Sequence, residues 1–389
     1  MQYNFDKLID RRLSECVKWN AFEADVLPMW VADMDFESPR SVTEALEARV
    51  EHGFFGYPQL SDDLRGLVVD WIASQYRWKI QPTDLVFVPG VVTGFNLACQ
   101  TLRGRPGSVL LQPPIYPPML KAPLQASLDR KDALLMQTAG GEYQVDWDRF
   151  ERSFDLTTRM FLFCNPHNPT GRVFRQEELE RLAQACLQRG VLICSDEIHC
   201  DLVYSGHQHI PIASLDPEIA RNSITLMAPS KTFNLAGLKF AFAVIPDAGL
   251  RQSYQDVGWG LVNHLNLMGI CAAQAAYEAG HDWLHQLLIY LEENRDTLLQ
   301  FVRSRLPGVK MGLPEGTYLA WLDCRQLELP EDPYHFFLKN AQVALGDGET
   351  FGPGGEGFVR LNFGCPRQVL LEALERMESA LQSAAALDE

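Results

Sequence analysis

Three segments in the middle of the chain each run from an apolar stretch straight into polar residues with chemical potential. The first, MFLFCNPHNPTG (Met160–Gly171), passes from an apolar run into a string of turn formers. In parallel α/β sheets ligands gather at the carboxyl ends of strands. Asn168 is therefore placed to touch a ligand, although the segment alone reads equally well as a sharp turn. The second, VLICSDEIH (Val191–His199), puts Asp196 behind five residues that should be buried. A carboxylate there needs a partner, and for an isolated Asp a helix cap or a structural ion pair is the commoner explanation. The third, ITLMAPSKTFNLAGLKF (Ile224–Phe240), carries Lys231 beside the small Ser230. Lysine is seldom buried without a purpose. Desolvation at a strand end lowers its pKa and frees the amine to attack a carbonyl, whereas a lysine in a surface loop does neither. Asn168, Asp196 and Lys231 end three successive predicted strands, so they can converge.

The elements that must position these residues follow from periodicity. Leu85–Val88, Val109–Leu111, Met160–Cys164, Val191–Ser195, Ile224–Met227 and Phe240–Val244 read as buried strands. Between two of them, Leu179, Leu182, Cys186 and Leu187 follow helical spacing, and Gly190 supplies the stop. Strands alternating with helices predict an α/β fold with a mostly parallel sheet covered by helices on both faces. The flanks differ. Helices are expected from Ser38-Pro39 through Val50 and from Ser61 through Tyr76. Near the C-terminus come a long helix (Trp283–Leu306), strands at Thr317–Asp323 and Phe358–Phe363, and a final helix from Arg367 to about Ala385. The expected organisation is a large domain over 51–284, with 1–50 and 285–389 together forming a smaller α/β domain.

The order NPHNPTG, SDEIH, SKTFNLAGLK closely resembles the fold-type I pyridoxal-phosphate enzymes of the aminotransferase class I/II superfamily. The resemblance runs over nearly the whole chain. PMWVADMDF (Pro28–Phe36), GFFGYP (Gly53–Pro58), PPIYPP (Pro113–Pro118) and FVRLNFGCP (Phe358–Pro366) look like the cystathionine β-lyase (C–S lyase) branch in particular. It implies pyridoxal 5'-phosphate as cofactor, joined to Lys231 as a Schiff base, with the same lysine later moving the substrate's α-proton. Asp196 would pair with the pyridine nitrogen and keep it protonated, so that the ring can accept electrons. Asn168 would bond the ring's phenolic oxygen and help hold substrate. His199 would lie near that oxygen, where many relatives have Tyr; a satisfied core histidine is its alternative. Tyr116 would stack on the ring, with core packing as its alternative. The phosphate needs backbone donors at a helix start, and VPGVVTGFNLA supplies the amides of Val91, Val92 and Thr93 ahead of a helix from about Thr93. Ser230 and Lys239 would complete the cup, Lys239 standing where many relatives carry Arg. Arg360, on a strand between apolar neighbours, either pairs with an internal acid or awaits a carboxylate; the resemblance favours the substrate's α-carboxylate. Tyr57 would reach the phosphate of a neighbouring subunit, which implies a homodimer with shared active sites.

Composition narrows the classes further. The formal charge of −16 argues against a general nucleic-acid binder and against docking to anionic membranes. Nine cysteines without a CxxC pair read as reduced thiols, and the N-terminus lacks the apolar run of a signal peptide, so a soluble cytoplasmic protein is expected. The uncharged stretch Val257–Tyr277 contains Asn, His, Gln and Gly and is a poor membrane span. No metal is expected, because His207-Gln208-His209 has no convergent partner. GDGETFGPGGEG (Gly346–Gly357) reads as a loop over the site, since it does not link a strand to a helix. The expected activity is β-elimination from cystathionine or another S-substituted cysteine, giving thiol, pyruvate and ammonia. An aminotransferase or a specialised biosynthetic lyase or cyclase would use the same residues. A regulatory binding protein would not need Lys231, Asp196, Asn168 and Arg360 all intact.

Overall fold

The structure, a computed structural model, describes residues 2–386 apart from 105 and 263. Its main sheet has seven strands. In chain order these are β1 (Leu85–Val88), β2 (Ser108–Leu111), β3 (Asp129–Asp132), β4 (Thr158–Cys164), β5 (Leu192–Asp196), β6 (Ser223–Met227) and β7 (Ala241–Val244). They lie side by side as β1-β7-β6-β5-β4-β2-β3. Only β7 runs antiparallel to its neighbours, so the sheet is mostly parallel, as the alternation of strands and helices predicts. Both faces are covered, and β4 shows how. Met160, Leu162 and Cys164 pack into one apolar cluster with Phe95, while Phe161 and Phe163 pack into another with Leu179, Leu182 and Cys186. Strict alternation sends successive side chains to opposite faces, and both destinations are apolar. That is why the strand reads as an unbroken hydrophobic run.

A second, antiparallel sheet follows in the chain. Its strands β8 (Lys310–Met311), β9 (Leu319–Asp323), β10 (Gly346–Asp347) and β11 (Phe358–Asn362) are ordered β8-β9-β11-β10. The helices His281–Arg305 and Arg367–Ala385 pack against each other beside it. The N-terminal segment joins this region: Leu27–Pro28 pairs in parallel with Val343–Ala344, and Asn362 N–H donates to the Met29 carbonyl at 2.8 Å.

Several elements escape the sequence pattern, each for a physical reason. β3 is a polar edge strand, with Asp129 and Arg130 exposed, so it lacks the apolar run of a central strand. The helix Leu267–Ala279 buries Gly269, Ile270, Ala272, Ala273 and Ala276 and packs on the helix Arg40–His52. Small apolar residues around its circumference blur the period of a single buried face. Gly269 is required by close approach: a Cβ there would lie 2.3 Å from the Leu238 carbonyl oxygen. This contact seats the helix against the chain just before Lys239. Among the described residues no helix is long and apolar enough to cross a membrane.

Candidate active site

Sheet register brings the three chemical segments to one rim. Cys164 is opposite Asp196, and Asp196 is opposite Leu226, so β4, β5 and β6 end level with one another. Asn168 lies just past the end of β4, Asp196 closes β5, and Lys231 sits one turn past β6. All three line a cavity of about 430 Å³. Tyr116, His199, Ser230 and Lys239 line it as well, together with Val91, Val92 and Thr93. Those last three residues begin the helix Val91–Gln100, two residues earlier than the sequence suggests. The helix's backbone ladder opens with Gly94 N–H donating to the Gly90 carbonyl, leaving the earlier amides without intrahelical acceptors. Amides at a helix start form a binding site for an anion, and Ser230 and Lys239 stand beside them.

Burial sets the electrostatics. Desolvation pushes the Asp196 carboxyl up to about 7, although an Ile198 N–H bond of 3.1 Å and the charge of Lys231 both favour its ionised form. A carboxylate held in this way favours a cation next to it. Desolvation also brings the Lys231 ammonium down to about 8, against the nearby charges of Asp33 and Asp196. The His199 imidazole is lowered to about 3 by burial and by the charges of Lys231 and Arg360, so it is neutral at pH 7, and its Nδ1 has no partner among the described residues. Arg360 is buried, and desolvation lowers its pKa to about 10. Its Nη1 donates to Asn168 Oδ1 at 3.0 Å and its Nη2 to the Trp30 carbonyl at 2.7 Å, while Nε has no partner. Among the described residues no carboxylate pairs with it, so the internal-acid explanation fails. Arg360 and Tyr116 both line a second cavity, of about 360 Å³, that adjoins the first.

This donor set fits a planar cofactor with a phosphate at one end, a basic ring nitrogen at the other and a carbonyl carbon between. Helix amides would take the phosphate, Asp196 would supply an anion for the nitrogen, and Lys231, its pKa lowered, would serve the carbonyl. Tyr57 is not brought to this cavity. It is 91% exposed, with its ring 5.1 Å from that of His264. His207 and His209 do not converge either: His209 Nε2 lies 2.7 Å from Glu197 Oε2, whereas His207 faces Glu315 at 3.6 Å. The Gly346–Gly357 segment is not a simple loop. It contains β10 and a short 3-10 turn (Gly348–Phe351), and it walls the second cavity.

Some participants are absent from the sequence reading. Lys231 Nζ donates to the Ala32 carbonyl at 2.6 Å, and the Tyr318 hydroxyl donates to the same oxygen at 3.0 Å. Asn362 Nδ2 holds this strap by donating to the carbonyls of Val31 and Asp33. Asp201 anchors the turn after Lys231, accepting from Thr232 Oγ1 at 2.6 Å, from Trp71 Nε1 at 3.1 Å and from the Tyr76 hydroxyl. PMWVADMDF signals the strap only through the family resemblance, and nothing around Asp201 marks it locally.

Comparison with known proteins agrees with this geometry. Residues 24–377 match the family model described as aminotransferase class I and II. The cystathionine beta-lyase PatB of Bacillus subtilis (strain 168) is 40% identical over 389 residues, covering 97% of this chain and 100% of the relative. The crystal structure of OvoB superposes with a TM-score of 0.93 at 43% identity, covering 98% of this chain and 100% of that one. Cystalysin from Treponema denticola, whose structure contains pyridoxal 5'-phosphate, gives a TM-score of 0.95 at 30% identity, with 99% and 100% covered.

Proposed function

The chain belongs to the aminotransferase class I and II family, a fold-type I pyridoxal 5'-phosphate protein close to the C–S lyase branch, and from that premise we propose that it catalyses β-elimination on an S-substituted L-cysteine. The products would be a thiol, pyruvate and ammonia. The observation that carries the reading is the convergence of Lys231, Asp196 and Asn168 at one sheet rim, with an acid-free Arg360 beside them. The preference for elimination over transamination rests on the C–S lyase relatives.

Bound in the first cavity, the cofactor supplies an electron sink for the pair left on Cα when its proton departs. The protein's own residues do the rest. Arg360 takes the substrate's α-carboxylate in a charge-assisted contact, directed by the bonds that Asn168 and Trp30 make to its two terminal nitrogens. With the Asn168 oxygen so engaged, its amide NH2 remains for the cofactor's phenolic oxygen. The amides of Val91–Thr93, with Ser230 and Lys239, hold the phosphate. Asp196 keeps the ring nitrogen protonated. Lys231, whose pKa desolvation lowers to about 8, would take the α-proton at Cα once its amine is released. The pair from Cα would form the Cα=Cβ bond as the Cβ–S bond breaks, the thiolate would take the proton held on Lys231, and water would hydrolyse the released unsaturated amine to pyruvate and ammonia. The exposure of Tyr57 supports its crossing to a neighbouring subunit in a homodimer.

Incubation of the cofactor-loaded protein with L-cystathionine, following pyruvate and free thiol, tests the reading. Continuous pyruvate without an added 2-oxo acid is expected. No pyruvate from sulfur substrates, alongside repeated turnover with an amino acid and a 2-oxo acid, would make the protein an aminotransferase instead.

A further inference from the structure

The second cavity is unlike the first. The rings of Phe22, Trp30, Tyr116, Tyr334 and Phe351 line it. Phe22 and Trp30 meet edge to face at 5.8 Å, and Phe351 is backed by Trp321 at 5.1 Å. Its charged lining consists of Arg360, whose guanidinium lies 5.0 Å from the Phe351 ring centre, and Asp347. Asp347 is partly exposed and uses one carboxylate oxygen to accept from Glu349 N–H at 3.0 Å. Of the two nearest basic residues before it in sequence, Lys339 faces Glu331 at 3.9 Å and His335 is held by Asp332 at 2.5 Å. Arg360 lines this cavity and Tyr116 lines both, so a substrate whose α-carboxylate sat on Arg360 would border it.

We propose that this cavity is the subsite for the sulfur substituent and that it selects an aromatic or heteroaromatic group carrying a positive charge. The proposal rests on the elimination reading above and names its substrate class. Flat aromatic walls favour a flat group through offset and edge-on contacts. The same ring faces attract a cation. Asp347 adds a negative charge to the lining, and Arg360, occupied by the α-carboxylate, has no positive charge to spare for a second anion. A substituent ending in a carboxylate meets repulsion there, and one ending in an ammonium meets attraction.

The test uses the cofactor-loaded protein and three substrates of matched shape: S-(p-aminomethylbenzyl)-, S-benzyl- and S-(p-carboxybenzyl)-L-cysteine, with L-cystathionine alongside. Pyruvate formation gives kcat/KM, and the change in the bound cofactor's visible absorption gives Kd independently of turnover. At low salt the aminomethyl compound should exceed the carboxy compound by about tenfold or more in both measures, with S-benzyl between them. In Asp347→Asn that ratio should shrink to within about threefold. Because the ratio is taken within one preparation, a loss of active protein does not alter it. A carboxy compound equal to or better than the aminomethyl one overturns the proposal, and so does an undiminished ratio in Asp347→Asn. Aromatic substrates that neither bind nor react while L-cystathionine does would also overturn it. The expected order in Kd without pyruvate from any substrate would support the subsite and overturn the elimination reading.

Discussion

Replacing Arg360 by Ala isolates the part of the site that holds the substrate rather than the cofactor. The guanidinium is buried, makes hydrogen bonds of 3.0 and 2.7 Å to Asn168 and the Trp30 carbonyl, and has no carboxylate partner among the described residues. Its pKa, lowered to about 10, leaves it protonated at pH 7, so a full positive charge waits for an anion. Removing one side of such a desolvated charge pair costs about 2–5 kcal/mol. At about 1.4 kcal/mol per decade this is a fall in kcat/KM of roughly 30-fold to several-thousand-fold. Part of any loss would come from leaving Asn168 and Trp30 without their donor, and that part is common to all substrates. The assay therefore compares the free acid of an S-alkyl cysteine with its amide, which has no carboxylate to lose. The free acid should suffer by at least about tenfold more than the amide. Equal losses on both would show that Arg360 is a structural residue, and the assignment of the α-carboxylate would fall with it.

Two other perturbations probe the cofactor side and the assembly. Asp196 has an ordinary pKa of 3.8 and one of about 7 in the fold, so the cofactor-free protein gains relative stability while this carboxyl is protonated. That contribution is fully present below about pH 4 and is lost as pH rises through about 7. Thermal midpoints of the cofactor-free protein should therefore fall by several degrees more between pH 5 and 8 than those of Asp196→Asn, a difference on the order of a few kcal/mol. Parallel pH profiles would mean that Asp196 is not buried as an unpaired acid. For Tyr57, if the protein is a homodimer with shared sites and Tyr57→Phe is itself badly impaired, mixing Tyr57→Phe with Lys231→Ala should restore activity, since each exchanged dimer would hold one site with both residues intact. No recovery after verified subunit exchange would remove Tyr57 from any shared site.

What was legible in the sequence was the part carried by contiguous residues. A buried parallel strand ending in a polar turn is a local pattern, so the ends of β4, β5 and β6 and their Asn168, Asp196 and Lys231 stand out without any knowledge of tertiary contacts. The helix after Gly90 was legible to within two residues, expected from about Thr93 and found from Val91. The resemblance in PMWVADMDF and GFFGYP added the branch and pointed to Tyr57, for which local chemistry offers no signal. The polar edge strand β3 and the small-residue helix Leu267–Ala279 were hidden because neither carries a single-faced apolar period.

Only the tertiary structure decided which groups meet across the chain. Lys231 donates to the carbonyl of Ala32, 199 positions away, and Arg360 to Asn168, 192 away. Whether Arg360 had an internal acid could not be read from VRLNF, because the answer depends on every element packed around it. The same is true of the Asp196 carboxyl, whose rise to about 7 comes mainly from desolvation by neighbours distant in sequence. A residue's type and its strand are properties of the local chain. Its desolvation and its partners are set by register and packing between elements, so the sequence by itself determined the reactive groups, and the fold decided their charge states and their company.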